Sequence, residues 1–227
     1  MIAHPEILQE VEAKLLAPGV AILAAIAQVR HLGPYRLRPR QTVCLHTVYL
    51  DTPQFTLARQ QVALRLRRTR MRWEASVKWS GQEDGMVHAR PELTVRLARP
   101  PAFPLRQLPE PFAASLSEFI AGQPLAPILI SDVHRQRFAV RVSGQATGRT
   151  VAELALDKVH LRAPGPRRRA IASYCEVEIE LESGGTVQEV VDCARLLKER
   201  FALTPAEGSK FSRGLTLLYG PGLIDSS

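Results

Sequence analysis

One stretch limits the fold of this chain more than any other: four glutamates alternate strictly with three apolar residues from Glu176 to Glu182. Successive side chains leave a β-strand on opposite faces, so this spacing predicts a strand with one apolar face and one face of carboxylates. Taken alone, such a strand is typical of a sheet with one solvated face. Recurrence elsewhere in the chain calls for a different explanation.

The same alternation recurs with charges of both signs in Glu10–Leu15, Leu64–Arg67, Arg90–Leu97 and Glu153–Asp157. Solvated faces would not require acids in some strands and bases in others. A closed antiparallel sheet with a charged interior gives a reason, since acids can hold metal ions and bases can hold an anion. We therefore predict an α+β fold: a closed antiparallel β-barrel of about eight strands that forms a tunnel, with a charged interior and helices packed outside.

Length and composition favour one domain. The 227 residues, 45% of them hydrophobic, suit a single tunnel domain over residues 1–227, with its core at about 8–219. The net charge of +8 would allow a nucleic-acid partner, but aromatic residues are only 6% and the run Arg167–Arg169 lies beside prolines. We expect no specific nucleic-acid partner. Only five basic residues are lysines, and Lys14, Lys78 and Lys210 fall in segments singled out on other grounds.

The cysteines and the first residues bear on location. Cys44, Cys175 and Cys193 are widely spaced and form no Cys-x-x-Cys pair, which excludes a recognisable zinc site and favours a reducing compartment. The first residues lack the basic and apolar regions of a leader, and Val20–Val29 is too short to span a bilayer. We therefore expect a cytoplasmic protein with no membrane partner, either a monomer or a homodimer.

Local signals predict further elements. Helices are expected at Val20–Arg30, Gln54–Gln60, Pro111–Ala121 and Thr186–Phe201, with a proline-rich connector at Arg99–Pro111 and a flexible polar loop at Ser80–Gly85. A last element is expected over Leu215–Tyr219. Strands are predicted at Glu10–Leu16, Thr42–Asp51, Val62–Arg70, Trp73–Trp79, from about Val87, Ile128–Val142, Glu153–Leu161 and Tyr174–Leu181.

Several motifs stand in a fixed order from residue 10 to residue 218. They are Glu10-x-Glu12-x-Lys14, Tyr49–Pro53, the pair Arg65 and Arg67, Lys78, Arg90 with Glu92, Glu153 with Asp157, Glu176–Glu180, and Ser209 with Lys210. Each is weak alone, but the combination resembles the CYTH superfamily of triphosphate tunnel metalloenzymes, which includes inorganic and thiamine triphosphatases and class IV adenylate cyclases. Two positions depart from the family pattern: Thr94 replaces a glutamate found in many members, and His134–Arg137 fits the expected basic pair only loosely.

The resemblance implies metal-dependent hydrolysis of a triphosphate, with inorganic tripolyphosphate as the leading substrate and Mg²⁺ or Mn²⁺ as the cofactor. This chemistry suits the residues, because bases in a narrow tube can neutralise a linear triphosphate while a metal ion bridges phosphate oxygens and acids. The implied catalytic residues are Lys14, Glu176 and Glu178. The implied metal ligands are Glu10, Glu12, Asp157, Glu178 and Glu180. The implied substrate-binding residues are Lys14, Arg65, Arg67, Lys78, Arg90, Arg135, Arg137 and Lys210.

Other functions remain open from the sequence. Class IV-type adenylate cyclase activity, or hydrolysis of thiamine triphosphate or a nucleoside triphosphate, would use the same constellation. A non-catalytic polyphosphate-binding module would keep the bases and lose the metal ligands, so the two acidic strands speak against it. Any single acid could instead serve only to balance an interior base, because buried charges must be paired.

Overall fold

The computed structural model describes residues 7–99, 102, 112–143, 148–165 and 170–223. Its helices are α1 (Val20–Ala27), α2 (Thr56–Arg59), α3 (Phe112–Ile120), α4 (Val187–Phe201) and α5 (Lys210–Tyr219), followed by a 3-10 turn at Pro221–Leu223. Its strands are β1 (Ile7–Ala17), β2 (His31–Leu32), β3 (Tyr35–Asp51), β4 (Ala63–Thr69), β5 (Arg72–Lys78), β6 (Gln82–Asp84), β7 (Val87–Leu97), β8 (Ala126–Val142), β9 (Thr150–Arg162), β10 (Ala170–Leu181) and β11 (Thr204–Pro205).

Eight strands form a closed antiparallel barrel. Neighbours follow the order β1, β10, β9, β8, β3, β4, β5 and β7, and β7 pairs with β1 to close the ring. The short strands β2, β6 and β11 attach to β3, β7 and β1. The predicted closed barrel of about eight strands is confirmed.

Alternation along the strands sorts charged from apolar side chains. The register of β1 with β10 sets Lys14 opposite Glu178 and Glu12 opposite Glu180. Side chains of directly opposed residues share a face, and all four of these line the interior. The intervening residues, such as Val177, are fully buried in a core beneath α1 and α4 on the outer side. A second outer core joins the β4–β5 hairpin to α2 and α3.

Helix α5 covers one end of the barrel. Ser209 caps it, since its hydroxyl accepts from the backbone N–H of Ser212, whose own hydroxyl accepts from the Ser209 N–H. Leu215 packs against apolar residues of β8 and β9 in a third core. A Cβ at Gly214 would lie 2.3 Å from a methyl carbon of Leu129, so a glycine is needed where the helix meets β8. The predicted last element therefore begins five residues earlier than expected, at Lys210.

Most other elements differ from their predicted bounds by four residues or fewer, and two differ more. Strand β3 begins at Tyr35 rather than Thr42, because the pairing with β8 shifts register between Pro39 and Thr42 and so accommodates the proline. The predicted flexible loop Ser80–Gly85 contains β6, which pairs with β7.

Helix α2 begins at Thr56, two residues after the predicted start at Gln54, and residues 51 and 52 hydrogen-bond to its first turn. The Asp51 carboxylate accepts backbone hydrogen bonds from Leu57 and Ala58 at 2.9 and 2.8 Å, in the first turn of the helix. The Thr52 hydroxyl accepts another from Thr56 at 3.1 Å.

The remaining sequence predictions concern the proline-rich connector, the arginine run, the cysteines and membrane spans. Most of the proline-rich connector Arg99–Pro111 and the run Arg167–Arg169 lie outside the described residues. All three cysteines are described, and all are free thiols. Among the described residues, no helix combines the length and apolar character needed to cross a bilayer.

Candidate active site

The barrel encloses a tunnel of about 190 Å³ whose walls are mostly charged. The bases that line it are Lys14, Arg65, Arg67, Lys78, Arg90, Arg135 and Lys210. The acids are Glu10, Glu12, Glu74, Glu92, Glu178 and Glu180, and the hydroxyl groups belong to Thr47, Tyr49, Ser76, Thr94, Ser131 and Ser209. The predicted charged interior is confirmed.

On the β1–β7 side, Arg90 holds two glutamates of β1. Its Nε donates to Glu10 at 2.9 Å and its Nη2 donates to Glu12 at 2.7 Å. Lys14 lies 2.8 Å from the same Glu12 oxygen, and Lys78 donates to Glu10. The three alternating charges of β1 therefore belong to one connected set of ion pairs.

Glu92 continues this set across β5 and β7. It accepts from Arg65 Nη2 at 2.9 Å and lies 3.1 Å from Lys78 Nζ. Thr94 donates to Glu92 at 3.1 Å and contacts the Ser76 hydroxyl at 2.8 Å. Thr94 therefore occupies its tunnel position as a hydrogen-bonding residue rather than an acid. Glu92 was not among the predicted site residues, although it has the parity of the inner face of β7.

A second set surrounds Lys210, at the start of α5. Its Nζ lies 3.1 Å from Asp157 Oδ2 and also contacts Glu176 and Glu178. Arg135 donates to both Asp157 oxygens at 2.8 and 2.7 Å and contacts Glu178. One carboxylate oxygen from each of the three acids lies within 4.8 Å of the others. Such hard oxygen donors fit Mg²⁺ or Mn²⁺.

Three tunnel charges, Arg67, Glu74 and Glu180, form no ion pair among the residues that the structure describes. Arg67 Nε contacts the Thr47 hydroxyl at 3.4 Å and no carboxylate. Glu180 has no ion pair, although it lines the tunnel two residues beyond Glu178. Arg67 is therefore a cation, and Glu180 an acid, that a bound ligand can approach without breaking an ion pair.

The bases and acids shift one another's pKa values. Burial alone would raise the pKa of Glu10, but the charges of Lys78 and Arg90 outweigh it and lower that pKa to about 2. Burial lowers the pKa of Lys78 to about 8, and the neighbouring Arg65 adds to the effect. Burial and repulsion from Arg65 and Arg135 lower the pKa of Arg67 to about 10. A bound anion would raise the pKa values of Lys78 and Arg67, because a nearby negative charge favours their charged forms.

The acids of β10 differ from one another. Burial raises the pKa of Glu176 to about 7 despite its contact with Lys210. In Glu178 burial is outweighed by Arg135 and Lys210, which hold its pKa well below the usual range. Burial and repulsion from three other glutamates raise the pKa of Glu180 to about 7. Because the Glu180 side chain is exposed, repulsion from these three glutamates is a stronger reason for its raised pKa than burial is.

The structure does not bring every predicted residue into the tunnel wall. Arg137 lies beyond it, with Nε and Nη2 each 2.6 Å from Glu153, which Arg40 also contacts at 2.7 Å. Glu176 and Asp157 lie behind the wall and reach the tunnel only through Lys210 and Arg135. The other predicted site residues all line the tunnel.

The uncharged tunnel residues Ser131 and Thr47 were not predicted from the sequence. The Ser131 hydroxyl is buried without a hydrogen-bond partner, and it lies opposite Thr47 on β3. Both residues have the inward parity of their strands, which was the available signal. An inward position alone does not identify a site residue when its side chain carries no charge.

A second cavity of about 500 Å³ adjoins the tunnel and shares Lys78, Arg90 and Ser209 with it. Its walls are less charged and include Trp79 and Phe211. A group larger and less polar than phosphate has room there, next to the tunnel bases.

Comparisons with known proteins agree with this architecture. An inorganic triphosphatase of Haemophilus influenzae is 28% identical over 214 residues, which are 92% of this chain and 55% of that protein. The chain thus spans about half the length of this curated relative. An adenylyl cyclase candidate from Hippeastrum, described as having a dominant triphosphatase activity, is 14% identical with a TM-score of 0.56, over 91% of this chain and 95% of that one.

An adenylate cyclase candidate from Bacillus halodurans is 17% identical with a TM-score of 0.57, over 90% of this chain and 96% of that one. At these identities both solved structures show a shared fold. The family model for the CYTH domain matches residues 8–215, which contain all eight strands of the barrel. The chain therefore belongs to the CYTH domain family.

Proposed function

We propose that this protein hydrolyses a triphosphate in a metal-dependent reaction that releases phosphate, with inorganic tripolyphosphate as the substrate. The observation that carries the proposal is a closed tunnel lined by seven bases together with six acids. A linear triphosphate is narrow and highly charged, so bases on all sides can neutralise it simultaneously. Membership of the CYTH domain family and the similarity to an inorganic triphosphatase support this choice.

The bases would bind the substrate in two ways. Arg67 has no carboxylate to give up, so it can contact a phosphate directly. Lys14, Lys78 and Lys210 already touch acids and would exchange or share those contacts. Phosphoryl transfer depends mainly on positioning and charge stabilisation, which this arrangement can supply.

Acidic residues fit the implied Mg²⁺ or Mn²⁺. Asp157, Glu176 and Glu178 offer clustered oxygens, and Glu180 is a tunnel acid that forms no ion pair among the described residues. Glu10 and Glu12 stay further candidates for ligands. These acids would hold the divalent ion, whose chemistry when bound is to neutralise phosphate charge. In this proposal, Glu178 in the tunnel wall orients the attacking water and accepts its proton, Glu176 positions Lys210 from behind the wall, and Lys14 stabilises negative charge on the phosphate.

The test measures phosphate release from tripolyphosphate with Mg²⁺, with Mn²⁺ and in excess chelator. We expect turnover only with metal. The double substitution Glu178→Gln and Glu180→Gln should abolish turnover while tripolyphosphate binding falls less than about tenfold, because the bases remain. The matched control, Glu118→Gln with Glu199→Gln, alters two exposed helical glutamates and should leave both quantities unchanged. Turnover by the tunnel variant at the parent rate would refute the metalloenzyme, and binding without any turnover by the parent would favour a binding module.

The adjoining cavity favours a second candidate, a triphosphate that carries an organic group. Trp79 and Phe211 could contact such a group while the bases hold its phosphates. Parallel assays of ATP and thiamine triphosphate, with cyclic AMP measured beside phosphate, distinguish this candidate and the cyclase reaction from tripolyphosphate hydrolysis.

A further inference from the structure

Strands β3 and β8 run past the closed part of the barrel. Strand β4 pairs with β3 only from Leu45 onward, and before that point the two-residue strand β2 pairs with β3 at Tyr35 and Arg36. On one face of this extension, Leu37 and Val140 are buried in the core with α1 and α4. The other face continues the inner face of the tunnel, since its residues alternate with the buried ones, and Arg36 and Arg38 on it are exposed.

That face carries arginines, which we call the arginine face: Arg36, Arg38, Arg40, Arg137 and Arg141. Along β8 the inner residues after the tunnel residue Arg135 are Arg137, Ala139 and Arg141. Arg36 lies opposite Arg141, and Arg38 lies opposite Ala139. The arginine face therefore begins at the tunnel wall and reaches roughly 20 Å beyond it, at about 3.3 Å per residue.

The charges of this face are only partly balanced. Glu153 pairs with Arg137 and Arg40, and Glu182 pairs with Arg40. Arg141 donates to the Gly148 carbonyl, which carries no net charge. Arg36 and Arg38 are exposed and have no ion pair or side-chain hydrogen bond among the described residues. Among the described residues, the five guanidinium groups of this face are therefore balanced by only two carboxylates.

We propose that the arginine face binds the part of a long inorganic polyphosphate that extends out of the tunnel. This inference rests on the proposed function, because it takes the tunnel to hold the terminal phosphates. Guanidinium groups match phosphate oxygens in geometry and charge, and Arg36 and Arg38 lie roughly 6.6–6.8 Å apart along one strand face.

The surface suits a polyanion without bases better than a nucleic acid. Single-stranded nucleic acid is bound largely by stacking on aromatic side chains. The large aromatic side chains exposed in the described part of the chain are Phe119 and Tyr219, on α3 and α5, away from the arginine face. Contacts to this face would therefore be made to phosphate groups alone.

The test compares tripolyphosphate with a polyphosphate of tens of phosphates. In the parent, the long chain should have the lower KM, and its advantage should shrink with added salt. The double substitution Arg36→Gln with Arg38→Gln should raise the KM for the long chain about tenfold, equivalent to about 1.4 kcal/mol, with tripolyphosphate kinetics unchanged. The matched control, Arg195→Gln with Lys198→Gln on α4, removes the same charge from another surface and should leave both KM values unchanged.

Binding of long polyphosphate in excess chelator, measured by equilibrium dialysis, separates the two proposals. If tripolyphosphate is not hydrolysed but the arginine variant still loses polyphosphate affinity, the proposed function fails and the arginine face stands as a binding surface. If tripolyphosphate is hydrolysed and the two double variants behave alike with the long chain, the arginine face is wrong. Tighter binding of a single-stranded RNA of the same length would also overturn it.

Discussion

At the scale of single residues, the tunnel bases differ in whether an acid already neutralises them. Arg65 pairs with Glu92 at 2.9 Å, whereas Arg67, two residues later on the same strand, meets only a hydroxyl. Paired bases stabilise the empty protein, but an unpaired one costs stability until an anion arrives. We predict that Arg67→Gln leaves the free energy of unfolding unchanged or raises it by about 1 kcal/mol, while tripolyphosphate affinity falls at least about tenfold.

Arg65→Gln is the matched comparison. It should weaken binding too, but it should also lower the free energy of unfolding by about 1–3 kcal/mol, because Glu92 loses a buried partner. Urea unfolding and calorimetric titration of tripolyphosphate measure the two quantities. Equal stability loss in the two variants would show that Arg67 is as well neutralised as Arg65.

The sequence reveals inward charges at this scale but not their partners. Arg65 and Arg67 both follow a leucine on the same strand, and both were predicted to bind substrate. Which of them forms an ion pair depends on how β4 meets β5 and β7, and no local pattern encodes that arrangement. Arg137 could not be separated from Arg135 for the same reason, since its partner Glu153 comes from β9.

At the scale of elements, α4 and α5 both begin with a capping box, but only one of these helices carries a tunnel residue. Thr186 and Ser209 each cap their helix within a capping box, but only Ser209 precedes a tunnel lysine. We predict that Thr186→Ala and Ser209→Ala each lower the free energy of unfolding by about 1 kcal/mol. Only Ser209→Ala should also slow tripolyphosphate hydrolysis, by about tenfold, because it loosens the turn that positions Lys210.

Thermal unfolding and phosphate-release assays on both variants make the comparison. Equal activity in the two would mean that packing of the remainder of α5, rather than its cap, positions Lys210. The pair of serines three residues apart was present in the sequence, so the start of α5 could have been found by applying the capping rule. The shift of register near Pro39 had no comparable signal, because it depends on pairing with β8.

At the scale of the whole molecule, acids and bases pair throughout the tunnel, so protonation of the acids at low pH should destabilise the protein. Glu92 has its pKa lowered to about 2, since Arg65 and Lys78 outweigh its burial. A carboxyl group with a lowered pKa in the folded state stabilises the protein above its ordinary pKa near 4.5, and that contribution is lost as the pH falls toward 2. We predict that Glu92→Gln lowers the free energy of unfolding by about 1–3 kcal/mol at pH 7.

The difference between Glu92→Gln and the parent should narrow as the pH falls from 5 toward 2, because the parent then loses the same charge. Urea unfolding across this range provides the measurement, with Glu199→Gln on the exposed face of α4 as the control. A difference that stays constant with pH would mean that Glu92 acts through packing and not through charge.

The barrel as a whole was the most predictable feature, because alternation in β1, β4, β7, β9 and β10 reports a two-faced sheet without reference to register. That the sheet closes followed from the mixed signs of the charges, but the pairing of β1 with β7 that closes it was not predicted. The end of β8 at Val142 was predicted, but the extension of β3 back to Tyr35 was not. That extension depends on pairing between residues more than 100 positions apart, as in Arg36 with Arg141.

The closure has a consequence for how the molecule is made. Strand β1 lies between β7 and β10, so the first barrel strand to leave the ribosome needs a neighbour that is synthesised more than 150 residues later. Until β10 is synthesised, the barrel cannot close, and the charged residues of β1 lack the partner strand beside them. Pairings over such sequence distances slow folding. The growing chain therefore carries an unpaired strand edge for most of its synthesis, and chaperones that recognise open sheet edges would encounter it there.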